Sequence, residues 1–277
     1  LLDNRIKGGD SKMFIARDPY GVRPLYWLKP KTDGKFKSDS IIAFASEMKV
    51  LTNIYSKLNN RSNKTIISKN TKYTIEQFAP GSYMSFTQPF MKSTNWTVTN
   101  KVTYHRPGFH SIMYQDNHSI DDVFIKVQTY LSNAVKKRCC TTDRPIACLL
   151  SGGLDSSLIT ALVNEYHKEH KLPQLETYSI GLEGATDLEY AKEVAEYLGT
   201  KHTTVILTED DFLKAIPEVI ASIESYDTTT VRASIGNWLL GKYISEHSEA
   251  KVIFNGDGSD ELTGGYLYMN YAEDEIE

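Results

Sequence analysis

The stretch Leu149-Leu150-Ser151-Gly152-Gly153-Leu154-Asp155-Ser156-Ser157 decides how the rest of the chain is read. Before it, the apolar run from Ile146 to Leu150 has the length and composition of a short buried strand. After it, the apolar spacing of a helix resumes at Leu158, Ala161 and Leu162. Between them lie two glycines and a hydroxyl-rich turn. Gly152 and Gly153 remove side chains that would hold an anion away from the backbone, and successive amides at a helix N-terminus attract negative charge. Ser151, Ser156 and Ser157 add hydroxyl donors. Asp155 is the odd member, because a carboxylate repels phosphate unless a divalent cation lies between them; it points to a magnesium-bridged contact with pyrophosphate. The Lys of GxxxxGK[ST] is missing, so this is not a Walker A loop. An ordinary turn with a Ser helix cap is the plain alternative, and a lone Ser-Gly-Gly would favour it. The full S-G-G-x-D-S-S after a buried strand favours nucleotide binding.

Working outward, the bulk numbers narrow the classes. The chain has 277 residues, 40% hydrophobic and 24% charged, which is ordinary for a soluble globular protein and long enough for two domains. A net charge of -4 supplies no basic surface for nucleic acid or an anionic membrane, so neither partner is expected. No apolar stretch approaches the roughly 20 residues of a membrane span, and Leu1-Leu2-Asp3-Asn4-Arg5 does not read as a signal peptide, so a cytoplasmic location is expected. Cys139, Cys140 and Cys148 form no CxxC pair and leave an odd one over, which argues against both a zinc site and a disulfide framework. Leu1 opens the chain inside a run that continues into strand-like sequence, so a fragment is expected.

The N-terminal half reads as mostly β. Met13 to Trp27 holds two β-rich apolar runs around a turn at Asp18-Pro19-Tyr20-Gly21, which predicts a hairpin-like connection. Further strands are predicted at Ile41 to Ala45, Gly81 to Phe86 and Trp96 to Val102. Asn59 to Lys72 is polar and basic without aromatic interleaving and reads as an exposed insertion. Pro107 to Asn117 reads as a linker. Ser119-Ile120-Asp121-Asp122 then resembles a capping box with Asp in place of Glu, opening a helix with Val123, Val127, Tyr130, Leu131, Ala134 and Val135 at helical spacing.

After the glycine loop, strand and helix patterns alternate. Strands are predicted at Leu175 to Ile180, Thr203 to Leu207 and Lys251 to Phe254. Helices are predicted at Asp187 to Leu198, stopped by Gly199, and after the cap Thr208 with Phe212, Ile216 and Ile220 inside. Such alternation implies a parallel sheet with helices on both faces and ligands at the carboxyl ends of the strands. Two further segments fall at such ends. Asn255-Gly256-Asp257-Gly258-Ser259-Asp260-Glu261 gathers carboxylates in a tight turn, which costs energy unless a cation offsets them. In Glu224 to Ser234, Arg232 sits among the hydroxyls of Thr228, Thr229 and Thr230. A guanidinium there suits bidentate recognition of a carboxylate, although by itself a salt-bridged surface Arg is the better reading.

These residues carry a family resemblance through nearly the whole chain. Ser151 to Ser157 resembles the pyrophosphate loop of ATP pyrophosphatases, which cleave ATP between its α and β phosphates. Arg17-Asp18-Pro19-Tyr20-Gly21-Val22-Arg23-Pro24-Leu25-Tyr26, Phe44 to Leu51 and Pro80-Gly81-Ser82-Tyr83 resemble R-D-x-x-G-x-x-P-L-Y, F-A-S-E-x-K-x-L and P-G-x-Y of N-terminal-nucleophile glutaminase domains. Asn255 to Tyr266 resembles S-G-E-G-x-D-E-L/F-x-G-G-Y, and Glu224 to Ser234 resembles E-x-Y-D-x-T-T-x-R-A-S, both of the glutamine-hydrolysing asparagine synthetases. The resemblance implies an α/β parallel-sheet ATP pyrophosphatase domain at 119–277, preceded at 1–110 by the later part of a mostly-β glutaminase domain. It implies that ATP is bound by Leu149, Ser151, Gly152, Gly153, Asp155, Ser156, Ser157, Ile180, Asn255 and Gly256. Asp257 would support acyl-adenylate formation, Thr229 and Arg232 would hold aspartate, and Asp155 and Asp260 would hold Mg2+ with pyrophosphate. Asn255 and Asp257 stand where the family has Ser and Glu.

The implied reaction is the ATP-dependent amidation of aspartate to asparagine through β-aspartyl-AMP, with ammonia drawn from glutamine. A homodimer is left open. The family's glutaminase nucleophile is an N-terminal Cys, and position 1 is Leu, so the glutaminase active site is expected to be absent from this chain. A helical portion with a lysine that aids the chemistry follows in the family, beyond Glu277. A related amidating or cyclising ligase stays open as an alternative, but it should lose the Thr-Thr-x-Arg context. An inactive binding remnant would be expected to drift at Asp155, Asp257 and Asp260, which stand.

Overall fold

The computed structural model describes residues 1–3, 9–31, 40–59, 72–88, 96–106 and 119–271. They fall into two units, Leu1–Asp116 and Asn117–Glu277. The insertion expected between Asn59 and Lys72 and the linker expected at Pro107 to Asn117 lie outside the described residues, apart from Asn59 and Lys72 themselves. Among the described residues, no helix is long and apolar enough to cross a membrane.

The first unit runs β1 (Leu2–Asp3), β2 (Ser11–Ala16), β3 (Tyr26–Pro30), β4 (Ala43–Ala45), α1 (Met48–Asn59), β5 (Tyr73–Gln77), β6 (Ser82–Gln88) and β7 (Thr97–Thr103). It forms two antiparallel sheets, ordered β1-β2-β6-β7 and β4-β3-β5. Successive side chains of a strand point to opposite faces, and β3 shows what that does. Trp27 packs with Phe78, Met84 and Phe86 between the sheets, whereas Leu28 packs with Leu51 of α1 and Tyr73 on the other side. The layers are therefore sheet, sheet, helix.

The hairpin expected between Met13 and Trp27 is corrected here. Its turn forms: Gly21 N donates to Asp18 O at 3.2 Å, and the amides of Val22 and Arg23 donate to the Asp18 carboxylate at 2.8 and 3.0 Å. Its strands do not pair; β2 lies beside β1 and β6, and β3 beside β4 and β5. The cause is Arg17. Its buried guanidinium donates to the carbonyls of Gly21, Arg23 and Phe78 at 2.9, 3.0 and 2.7 Å, so the chain wraps around it and changes sheet.

The second unit runs α2 (Ile120–Cys140), β8 (Ile146–Leu149), α3 (Leu154–Glu169), β9 (Glu176–Leu182), α4 (Thr186–Leu198), β10 (Lys201–Leu207), α5 (Glu209–Ile223), α6 (Thr228–His247), β11 (Val252–Phe254) and α7 (Ser259–Thr263), with a 3-10 turn at Leu267–Tyr271. Its sheet, ordered β10-β9-β8-β11, is parallel throughout. The central strand β8 is apolar without interruption because both faces are covered. Ile146 and Cys148 pack against α2 and α3, and Ala147 and Leu149 against α6. Burial pushes the Cys148 thiol up to about 12 and the Cys139 thiol to about 11, so both stay protonated and serve packing.

The expected capping boxes form at Ser119 with Asp122 and at Thr208 with Asp211, and Gly199 ends α4 with a φ of 71°. On α2 only part of the expected apolar repeat reaches the core: Val135 is buried, while Val123, Val127 and Tyr130 stay exposed.

Helix α6 positions the site. Asp227 caps it, accepting from Thr230 N at 2.9 Å, and that amide holds the Asp227 carboxyl below its usual range. Its carboxyl-terminal end is tied to the start of β9, where Ser248 Oγ donates to Glu176 at 2.6 Å. Leu240 and Ile244 lie on the sheet. Near the end of β9, a Cβ at Gly236 would meet Ile180 at 3.8 Å. The helix therefore runs antiparallel to β9. At about 1.5 Å per residue, its first turn extends roughly 10 Å past Gly236, beyond the strand ends.

Candidate functional site

Beyond β8 the chain turns at Ser151-Gly152-Gly153 and enters α3. Gly152 has a φ of 83°, and a Cβ there would sit 2.6 Å from the backbone N of Ala191 on α4, so only glycine lets the loop lie this close. The loop is held from within by hydroxyls. Ser156 Oγ accepts from Ser151 N at 3.2 Å, lies 2.9 Å from Ser151 Oγ and donates to Gly153 O at 3.2 Å. Ser156 thus shapes the loop. The Ser helix cap of the plain alternative is not formed: Gly153 is the N-cap of α3 and supplies no side-chain cap, leaving the helix's first amides to another partner. Ser157 Oγ is buried and has no hydrogen-bond partner among the described residues.

Beyond β11, the neighbour of β8, the second loop folds onto this helix start. A Cβ at Gly256 would fall 2.8 Å from Ser156 N and 2.9 Å from Asp155 Cβ, so its lack of a side chain permits the approach. Ser259 Oγ donates to Asp155 Oδ1 at 3.0 Å. Two acid-bearing loops thereby meet at one helix N-terminus.

The acids of the second loop have different surroundings. Asp257 Oδ2 accepts from Asn255 Nδ2 at 2.7 Å and from Asn237 Nδ2 of α6 at 3.3 Å. Glu261 Oε1 accepts from the Tyr266 hydroxyl at 2.6 Å. That bond lowers the Glu261 carboxyl and raises the Tyr266 phenol to about 12. Asp260 is half-buried, and its Oδ1 lies where a Cβ at Gly265 would fall. Among the described residues, no three His, Cys, Asp or Glu side chains form a metal-binding group. A cation here would draw most of its ligands from phosphate and water.

Thr229 and Arg232 stand exposed on the first turns of α6, and Arg232 has no ion pair among the described residues. Leu149 and Ile180 send their side chains into the core beneath α6. The structure thus brings Ser151 to Ser157 together with Asn255 to Ser259, and connects α6 to that cluster through Asn237. Two site residues have no role in the sequence reading. Ser259 lies inside a segment already singled out. Asn237 could have been placed by helical spacing, since Thr230, Ser234 and Asn237 follow the i, i+4, i+7 rule.

Comparison with known proteins follows the same division. The asparagine synthase family model matches residues 126–276, and the glutamine amidotransferase domain model matches residues 7–102. The chain is 38% identical over 283 residues to the glutamine-hydrolyzing asparagine synthetase of Rattus norvegicus, covering 98% of this chain and 46% of that protein. It is 38% identical over 279 residues to that of Gallus gallus, with the same coverage. The chain therefore spans a little under half the length of these curated relatives. Among solved structures, the NH3-dependent NAD synthetase of Campylobacter jejuni aligns with a TM-score of 0.37 and 17% identity, over 52% of this chain and 60% of that one.

Proposed function

The chain belongs to the asparagine synthase family, and from that premise we propose that its parallel-sheet unit adenylates the side-chain carboxyl of aspartate, and that ammonia then displaces AMP to give asparagine. The observation that carries this reading is the approach of Gly256 and Ser259 to the first turn of α3, which gathers amides, hydroxyls and acids around one point beyond adjacent parallel strands. ATP would lie with its phosphates on the uncapped amides of Leu154 to Ser156 and on the Ser151 and Ser157 hydroxyls, and with its nucleoside along Leu149, Ile180, Asn255 and Gly256.

The carboxylate oxygens of Asp155 and Asp260 suit Mg2+, a hard cation that usually takes one or two protein carboxylates and completes its shell with phosphate and water. When bound, Mg2+ would neutralise charge on the departing pyrophosphate. Arg232 and Thr229 would fix aspartate by its carboxylate and hydrogen-bonding groups. An oxygen of the aspartate side chain attacks the α phosphorus, the bond from that phosphorus to the bridging oxygen breaks, and pyrophosphate leaves. Ammonia then adds to the acyl carbon and the carbon–oxygen bond to AMP breaks. Asp257, beside the nucleotide loop, supports the first step, and the α3 amides absorb the charge that builds on pyrophosphate. An ATP-consuming reaction of this kind is expected in the cytosol. In the complete protein, ammonia would come from glutamine through the amidotransferase portion matched at residues 7–102.

Product analysis with ATP, Mg2+, aspartate and ammonia tests the reading. AMP and pyrophosphate should appear in equal amounts and only with aspartate present. ADP with inorganic phosphate would contradict adenylation.

A further inference from the structure

Asp257 is one methylene shorter than the Glu of the motif it resembles, and the structure gives it two amide partners. Both donate to the same oxygen, Oδ2: Asn255 at 2.7 Å and Asn237 at 3.3 Å. Oδ1 takes no hydrogen bond among the described residues. An amide is a neutral donor, so it orients a carboxylate without cancelling its charge.

The two donors differ in what they are attached to. Asn255 belongs to the same loop as Asp257 and moves with it. Asn237 belongs to α6, which is fixed at its far end by Ser248 on Glu176 and along its length by Leu240 and Ile244 on the sheet. The first turns of that helix carry Thr229 and Arg232. We propose that Asn237 is a positioning residue: by holding Oδ2 it ties the acid loop to the helix that presents the aspartate-reading side chains, turns Oδ1 toward the reacting groups and compensates for the shorter acid. This inference rests on the adenylation reading.

The test is aspartate-dependent exchange of labelled pyrophosphate into ATP by the chain and its variants. Asn237→Leu keeps the side-chain size, suits a helix better than Asn, and removes the amide. It should lower the exchange rate about tenfold while KM for ATP and aspartate stays within about twofold, as expected for losing one hydrogen bond to a charged group. Asn237→Gln should recover part of the rate. In an Asp257→Glu background the longer acid no longer needs the same reach, so Asn237→Leu should cost less than in the parent.

An unchanged rate in Asn237→Leu, in a wild type that exchanges, would overturn the inference alone. Equal losses in Leu and Gln variants with a lowered melting temperature would show a structural role and also overturn it. Absence of aspartate-dependent exchange in the wild type would overturn the adenylation reading, and the inference with it.

Discussion

The two ends of the parallel sheet treat their polar groups differently. At the amino end of β9, Glu176 accepts from Ser248 at 2.6 Å, from Lys201 at 2.9 Å and from Tyr178 at 2.9 Å. The Ser248 bond, aided by Lys201, holds its carboxyl below the usual range. Every partner is protein, and the cluster fastens α6 to the strand. At the carboxyl ends, the α3 amides are uncapped, Ser157 Oγ is buried without a partner, and Arg232 is exposed without an ion pair among the described residues. One end is closed by its own side chains and serves stability; the other leaves donors unpaired among the described residues. A buried polar group without a partner is costly, so Ser157 Oγ beside uncapped amides at the ligand end of a parallel sheet points to use.

Substitutions at the open end should break chemistry and spare the fold. The largest effect is expected for Asp155→Ala, which removes the carboxylate that Ser259 orients. Aspartate-dependent pyrophosphate release should fall about a thousandfold, as for loss of a central electrostatic group, with the melting temperature little changed. Unchanged turnover would remove Asp155 from the proposed metal site.

Gly256→Val comes next. Its branched side chain would push the second loop off the α3 backbone, and a displacement near 1 Å costs about a hundredfold in rate. Titration calorimetry with MgATP should show weakened binding as well. Arg232→Leu should raise KM for aspartate about thirtyfold, the scale of a lost charge-assisted hydrogen bond, and leave KM for ATP nearly unchanged. Equal effects on both would count against a substrate-carboxylate role.

The closed end should behave in the opposite way. Glu176→Gln should leave KM for both substrates alone and lower stability by about 1–2 kcal/mol in thermal or denaturant unfolding, the mostly exposed Lys201 adding little. Because the folded carboxyl is held below its ordinary value of 4.5, its contribution is full above that value and fades as the pH falls through the lowered one. Wild type and variant should therefore converge in stability on strong acidification, and a gap that persists there would contradict this role.

What could be read from sequence was local. The strand, glycine turn and helix around Ser151 lie within a few residues, so periodicity and turn chemistry suffice. The same holds for the capping boxes at Ser119 and Thr208 and for the stop at Gly199. The β2–β3 connection escapes a local reading because the turn at Asp18 is local, whereas strand partners are not: Arg17 and the distant β6 decide them. Helix α6 was hidden by three threonines and a valine at its start, residues of modest helix propensity, and by Gly236 and Gly241 within it. Its cap and its packing on the sheet override that preference. Asn237 carries no motif: helical spacing sets it in line with Thr230 and Ser234, but its partner Asp257 shows only once α6 and the acid loop lie side by side.

The most direct test of the central claim follows one atom. Aspartate carrying heavy oxygen in its side-chain carboxyl is incubated with the chain, ATP, Mg2+ and ammonia, and the AMP is analysed by mass spectrometry. Adenylation at the carboxyl ends of the strands predicts AMP that carries one heavy oxygen from aspartate; AMP formed without the label would contradict the account.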